Sequence, residues 1–283
     1  MFVIIGGILV LASVLIGFTM AGGHVGALIH FSEFVTIGGA SLGALIIMAP
    51  KRVLKDVVKG VIHGMRGSPY NKWTYLDLFK LYYALCRITR RDGQLALDSH
   101  VSDPQSSSIF GRFPRIAKNH LVIHFITTNL SLLIDGSTNV ASEAEAEIRV
   151  IENEHHDAVS AMAKTADALP GFGIVAAVMG IVITMQAIDG PAEEIGHKVG
   201  AALVGTFLGI LLSYGFFGPM AGRMELLGAE EIAFFRTVVA LTANMSEGIA
   251  PKSVITRACR GVGTELRPSR KDVEALFVEM DNV

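Results

Sequence analysis

The chain has 283 residues, of which 51% are hydrophobic and only 18% are charged. Its mean hydropathy of +0.49 is higher than a soluble protein of this length normally has. A net charge of −2 and an isoelectric point near 6.5 give no sign of nucleic-acid binding, which requires a basic surface.

Charged residues avoid four long stretches of the chain. Asp, Glu, Lys and Arg are absent from residues 1–32, 34–50, 168–188 and 199–222. Each stretch reaches or approaches the roughly 20 residues that a helix needs to cross a hydrocarbon core of about 30 Å. We therefore predict an all-α integral membrane protein with four transmembrane helices. A secretory signal peptide is disfavoured, because residues 1–20 contain no Lys or Arg.

The basic residues predict the topology. Of the 24 Lys and Arg residues, none falls in 1–50, 15 fall in 51–167, one falls in 168–222 and eight fall in 223–283. Basic residues are retained on the cytoplasmic side of a membrane. We therefore expect transmembrane helices 1 and 2 in the first of these segments, a cytoplasmic helical domain in the second, transmembrane helices 3 and 4 in the third and a cytoplasmic helical tail in the fourth. Both termini are then cytoplasmic.

Apolar periodicity and helix stop signals place the elements in chain order. Helices are predicted at residues 2–20, 34–49, 72–93, 115–136, from about 142 onward, and 222–248. The helix that begins near Ser142 is expected to run directly into the third membrane span. A basic cluster that follows Pro50 is expected at the inner membrane surface.

Transmembrane helices 3 and 4 carry small residues at helical spacing. They are Gly173, Ala176, Ala177 and Gly180 on helix 3, and Ala201, Gly205, Gly209 and Ser213 on helix 4, with Thr206 beside them. Such faces let helix backbones approach closely. The spacing leaves two interpretations open, which are packing between these two helices and a face for the helix of another chain.

Ionisable residues are missing from the apolar cores of the predicted spans. Glu33 is expected only at the outer edge of span two, and His24 and His30 at the outer interface. Proton-conducting proteins normally carry a carboxylate or a histidine within the membrane. The chain is therefore either a structural bundle or half of a pathway whose carboxylate comes from a partner.

Two prolines flank the small-residue helices. Pro170 is expected in the first turn of a helix, where its missing N–H costs no hydrogen bond. Pro219 lies deeper and is expected to leave one carbonyl unpaired and to kink its helix. The sequence leaves two interpretations open: the prolines are a start signal and a kink, or they are hinges where the spans meet the cytoplasmic helices.

Metal and redox sites are not indicated. Cys86 and Cys259 fall in predicted cytoplasmic segments and have no neighbouring cysteine, so they are expected to be reduced packing residues. His155 and His156 have no further ligand at metal spacing and are expected on a solvated helix face.

The longest motifs resemble one family. LPGFGIVAAVMGIV and LVGTFLGILLSYGFFGPMA are similar to the third and fourth transmembrane segments of the MotA family of flagellar motor stator proteins. MAGGHVGALIHFSEFVTIGGASLG resembles the first two spans of that family, and KWTYLDLFKLYYALCRITRRDGQLALDSHVSDP resembles its cytoplasmic domain. The resemblance covers nearly the whole chain.

The resemblance implies an ion channel of the bacterial inner membrane, with no enzymatic activity and no cofactor besides the transported ion. It implies a ring, a homopentamer, that surrounds the helices of a MotB dimer. MotB would supply the ion-binding aspartate and the anchor to peptidoglycan. Ion flow would drive the ring against the rotor protein FliG.

The resemblance also implies roles for single residues. Pro170 and Pro219 correspond to the two functional prolines, and Thr206 to the pore threonine. Sodium-driven relatives carry a threonine where this chain has Ala177, which favours protons. Packing against the partner's helix is assigned to Gly173, Ala176, Gly180, Gly205 and Gly209.

The charged pair that faces the rotor corresponds to Arg90 and Asp98, where the family more often has Glu at the second position. Without the resemblance, these charges would be read as a solvated helix end. The sequence disfavours three other functions. An ExbB- or TolQ-like energiser of a cell-envelope complex would have three spans, a self-sufficient transporter would need an intramembrane titratable group, and an enzyme would need a catalytic set that is not visible.

Overall fold

The computed structural model describes residues 2–137, 139–186, 189 and 191–281, and helices dominate these ranges. The helices are α1 Phe2–Met20, α2 Phe31–Met48, α3 Lys51–Arg66, α4 Lys72–Asp92, α5 Asp98–Ser102, α6 Pro114–Ala117, α7 His120–Ile134, α8 Val140–Met185, α9 Ala192–Leu212, α10 Gly218–Ser246, α11 Pro251–Arg260 and α12 Arg270–Asp281. The predicted all-α class is confirmed.

Four helical segments are long and apolar enough to cross a membrane. They are Phe2–Met20, Val25–Met48, Val140–Met185 and Ala192–Ser246. Each overlaps one of the charge-free stretches of the sequence. An apolar helix satisfies its own backbone groups in lipid. The predicted number of spans is therefore confirmed.

The segment predicted as one helix at 115–136 is divided in two. Helix α6 ends at Ala117, and α7 begins at His120 with Asn119 as its N-cap. The Asn119 side chain accepts a hydrogen bond from the backbone N–H of Val122 at 3.3 Å. An N-cap asparagine accepts from a backbone N–H that has no partner within the new helix. Asn119 therefore favours the start of a helix at this point.

Pro170 does not begin a helix, so the prediction that placed it in a first turn is wrong. It lies inside α8, 30 residues after the helix starts at Val140. Because proline has no N–H, the carbonyl of Ala166 lacks the donor that position 170 would otherwise supply. The expectation that the helix from about 142 runs directly into the third span is confirmed.

The helix that contains Pro219 also departs from α-helical regularity. Residues Ser213–Phe217 form a π-helical turn, and α10 begins at Gly218 directly after it. A π turn inserts one extra residue into the helix and shifts its hydrogen-bond register. Pro219 follows as the second residue of α10, so the irregular register lies directly before a residue that has no N–H to donate.

The chain forms two compact units. One comprises Met1–Gly67 with Asn153–Leu227, and the other comprises Ser68–Glu152 with Gly228–Val283. We call them the membrane unit and the aromatic-core unit. Helices α8 and α10 supply residues to both. The predicted domain boundaries at 50, 167 and 222 refer to the membrane surface and stay a prediction.

The aromatic-core unit is built around large buried rings. Phe125 and Phe235 pack with their ring centroids 4.5 Å apart, and the hydroxyls of Tyr82 and Thr242 share a hydrogen bond of 2.8 Å. Both cysteines are buried and unpaired in this core. Burial raises the pKa of the Cys86 thiol to about 12, so this thiol stays protonated and acts as an apolar packing group.

Candidate functional site

The central feature of the membrane unit is a seam where α8 and α9 approach at glycine. A Cβ placed on Gly173 would lie 2.8 Å from the carbonyl oxygen of Gly205 and 3.2 Å from the Cα of Gly209. A Cβ placed on Gly209 would lie 2.6 Å from the carbonyl oxygen of Leu169. The two backbones are therefore in direct contact, and any side chain at these glycines would force them apart.

The remaining small residues extend the same seam. A Cβ on Gly180 would lie 2.7 Å from the Cβ of Ala202, and a Cβ on Gly205 would lie 3.0 Å from the Cβ of Ala176. Ala177 is also buried, at 8% exposure. The small faces of α8 and α9 thus meet each other within one chain. Their predicted contact with the helix of another chain stays a prediction.

The residues assigned to the ion pathway lie on the same two spans. Thr206 is half-buried, and its Cα would lie 3.2 Å from a Cβ on Gly173. Pro170 is half-buried on α8, one turn before Gly173, whereas Pro219 is exposed. The structure therefore brings Thr206 and the small residues together, with Pro170 close to them along α8.

Glu33 is a member of the site that sequence reasoning missed. It lies in the first turn of α2 and is only 8% exposed. A Cβ placed on Gly205 would lie 2.6 Å from Glu33 Oε2. This carboxyl group therefore enters the seam at the point where α9 has no side chain. The position of Glu33 at the outer edge of span two stays a prediction, and the structure adds that its carboxyl group is buried.

A cavity of about 1230 Å³ lies beside the connection between α1 and α2. Its walls are mostly apolar, and four titratable side chains line it, namely His24, His30, Glu193 and His197. His24 and His30 were expected at a membrane interface, and the structure adds that both face this space. The polar groups of the α1–α2 connection and of the beginning of α9 therefore converge.

The charged residues expected at the rotor lie in the aromatic-core unit. Arg90 is exposed in the last turn of α4, and Asp98 is exposed as the first residue of α5. Gly93 ends α4 with a φ of +85°, a conformation that glycine adopts without strain. The hydroxyl of Ser102 donates to Asp98 Oδ1 at 3.3 Å. Both charges remain accessible to another molecule.

No metal site accompanies these features in the part of the chain that the structure describes. The residues of 2–137, 139–186, 189 and 191–281 include no group of three or more His, Cys, Asp or Glu arranged to hold a metal ion.

These features define a multi-pass helical membrane protein with a close-packed pair of small-residue spans. Residues 4–93 match the family described as Motility protein A N-terminal, and residues 117–236 match the MotA/TolQ/ExbB proton channel family. The motility protein A of Salmonella typhimurium is 36% identical over 278 residues, which cover 97% of this chain and 94% of that protein. The motility protein A of Escherichia coli gives the same identity and coverage.

Two solved structures share the fold. A structure of Campylobacter (C. jejuni) MotAB aligns with a TM-score of 0.78 at 19% identity and covers 95% of this chain and 98% of that one. The flagellar MotAB stator complex of Bacillus subtilis aligns with a TM-score of 0.73 at 22% identity, over 90% and 92% of the two chains. The chain belongs to the MotA family of flagellar stator proteins, which are channel components and not enzymes.

The glycine seam makes a prediction about stability. Gly173→Ala should lower the free energy of unfolding of the membrane unit by about 1–3 kcal/mol, because the added methyl group meets backbone atoms that must shift. Gly171→Ala is the matched control, since a Cβ at Gly171 meets nothing within 4 Å. Thermal unfolding of the full chain in detergent measures both. Equal midpoints for the two variants would contradict the close contact.

Proposed function

We propose that this chain forms the wall of a proton channel together with a MotB-type partner, and that proton flow through the pair moves the aromatic-core unit against the flagellar rotor. The observation that carries the proposal is the nearly charge-free composition of four apolar spans in a chain of the MotA family. Four such spans can line a proton pathway, while the partner supplies the ion-binding aspartate and the peptidoglycan anchor.

The exposed apolar surface of the membrane unit supports assembly. None of the residues of α1 is buried within the chain, and its large side chains, such as Phe2 and Leu9, are exposed. Contacts with lipid and with neighbouring helices would cover this surface. We propose that five copies form a ring, with membrane lipid on the outside and the helices of a MotB dimer inside.

The proposed orientation follows from the basic residues. Lys198 is the single Lys or Arg in 168–222, and residues 1–50 contain none. By the positive-inside rule, the aromatic-core unit and both termini are then cytoplasmic, and the connections near 21–33 and 189–198 face the other side of the inner membrane.

Protons are the proposed coupling ion. Ala177 occupies a buried position on α8 where sodium-driven relatives are expected to carry threonine. An alanine methyl group offers no oxygen to a sodium ion, whereas protons can move along carboxyl groups and water. Four spans and the match at residues 4–93 favour the flagellar role over that of an ExbB- or TolQ-like energiser.

Pro170 generates the first functional prediction. Pro170→Leu would supply the N–H donor that the carbonyl of Ala166 lacks. The variant would thus close the interruption in the hydrogen bonds of α8. We expect the variant to enter the membrane in normal amount and to abolish swimming in soft agar. Gly171→Ala is the control and should swim normally. Normal swimming by Pro170→Leu would show that the interruption at this residue is not needed.

The rotor contact generates the second functional prediction. Arg90→Glu should reduce torque on tethered cells much more than it reduces proton flux, because complementary charges between the proposed FliG surface and this site set the register of the contact. Arg270→Glu reverses an exposed charge on α12 of the same unit and should leave torque unchanged. Equal losses of torque and flux for Arg90→Glu would indicate a folding role instead.

A further inference from the structure

Glu33 is a buried carboxyl group within the membrane unit. It is 8% exposed, and among the residues that the structure describes its Oε2 atom has no hydrogen-bond partner. Its neighbours along the buried face of α2 are Ile37 and Ser41, at intervals of four residues. The side chain therefore points into the helix bundle and not toward lipid.

The other side of the contact is formed by small residues of α8 and α9. Gly205 leaves space for Glu33 Oε2, and Ala176 meets the same position from α8. A carboxylate ion without a partner in such surroundings is strongly disfavoured relative to the neutral acid. A proton or another cation on the Glu33 carboxyl group would supply the partner that the buried Oε2 atom lacks.

His30 connects Glu33 to the cavity described above. It precedes Glu33 by three residues and lines the cavity wall. Its Nδ1 atom is also buried and has no hydrogen-bond partner within the described ranges. The two unpartnered polar atoms thus belong to the N-cap and to the first turn of α2. One of the two residues faces a space large enough for water.

We propose that Glu33 is a proton-binding site contributed by this chain, and that it exchanges its proton with the histidine-lined cavity through His30. This inference rests on the proposed channel function and adds a second carboxyl group to the one expected from the partner. Because Glu33 Oε2 and His30 Nδ1 do not hydrogen-bond to each other, the exchange passes through a water molecule. The O–H bond of Glu33 breaks as the water takes that proton, and the water gives one of its own protons to form an N–H bond on the His30 ring. The other ring nitrogen releases a proton to water, so no electrons are gained or lost.

The surrounding charges are consistent with proton exchange. The titratable groups that line the cavity are His24, His30, Glu193 and His197. Glu194 of α9 is paired with Lys198 at 2.8 Å, so its carboxylate already has a cationic partner. The α8 stretch from Ala168 to Met185 contains no Asp, Glu, Lys, Arg or His. Of the titratable residues on these elements, His30 is therefore the one closest to Glu33 in the sequence.

Infrared spectroscopy of the purified full chain in lipid nanodiscs tests the proposal without any partner. We expect the wild type to show the C=O band of a protonated carboxylic acid at neutral pH that Glu33→Gln removes and Glu193→Gln retains. Glu33→Asp should keep the band at a shifted position, which guards against loss by misfolding. Burial raises the pKa of Glu147 in the other unit, and its contribution cancels between variants.

Three results would overturn the inference. They are a band unchanged in Glu33→Gln, a band lost in both Glu33→Gln and Glu33→Asp, and a band abolished in the wild type by replacing potassium with sodium, which would assign the site to a metal cation. In liposomes that also contain the partner, Glu33→Gln should slow proton flux severalfold and alter its pH profile. A wild type that keeps the band but conducts no protons with the partner would refute the proposed function and not this site.

Discussion

The close approach of α8 and α9 is the constraint on which the rest of the membrane unit depends. Inside a bilayer, helices gain little from hiding apolar surface, because lipid is as apolar as their side chains. Association then relies on close van der Waals contact, which Gly173, Gly205 and Gly209 allow by bringing backbone atoms together. These glycines would be poor helix formers in water, but in this seam the absence of a side chain is what holds two spans in register.

The same contact determines where chemistry is possible. Gly205 leaves a gap that the Glu33 carboxyl group fills, and Thr206 is the next residue on α9. A larger residue at position 205 would exclude the carboxyl group and would also force α8 and α9 apart. If Glu33 binds a proton as proposed, a change in its charge would alter the packing of α8 and α9 directly, because its carboxyl group lies against Gly205.

The membrane spans and the long helix α8 could be predicted from sequence, because uncharged length and apolar period are local properties of the chain. Gly93 likewise marked the end of α4 correctly. The break at Asn119, the interior position of Pro170 and the burial of Glu33 could not be predicted in the same way. Each depends on which neighbour satisfies or surrounds the residue, and for Glu33 that neighbour is 172 positions away in the sequence, at Gly205.

The proposed function requires this chain to be one half of a channel. Proton flux into liposomes under an imposed membrane potential, measured for the purified chain with and without its MotB-type partner, tests this most directly. Each proton gains about 2.3 kcal/mol per 100 mV, so an open path conducts readily. We expect the proton flux with the chain alone to equal that of empty liposomes, and the flux with the pair to exceed it. Robust flux through the chain alone would contradict the account.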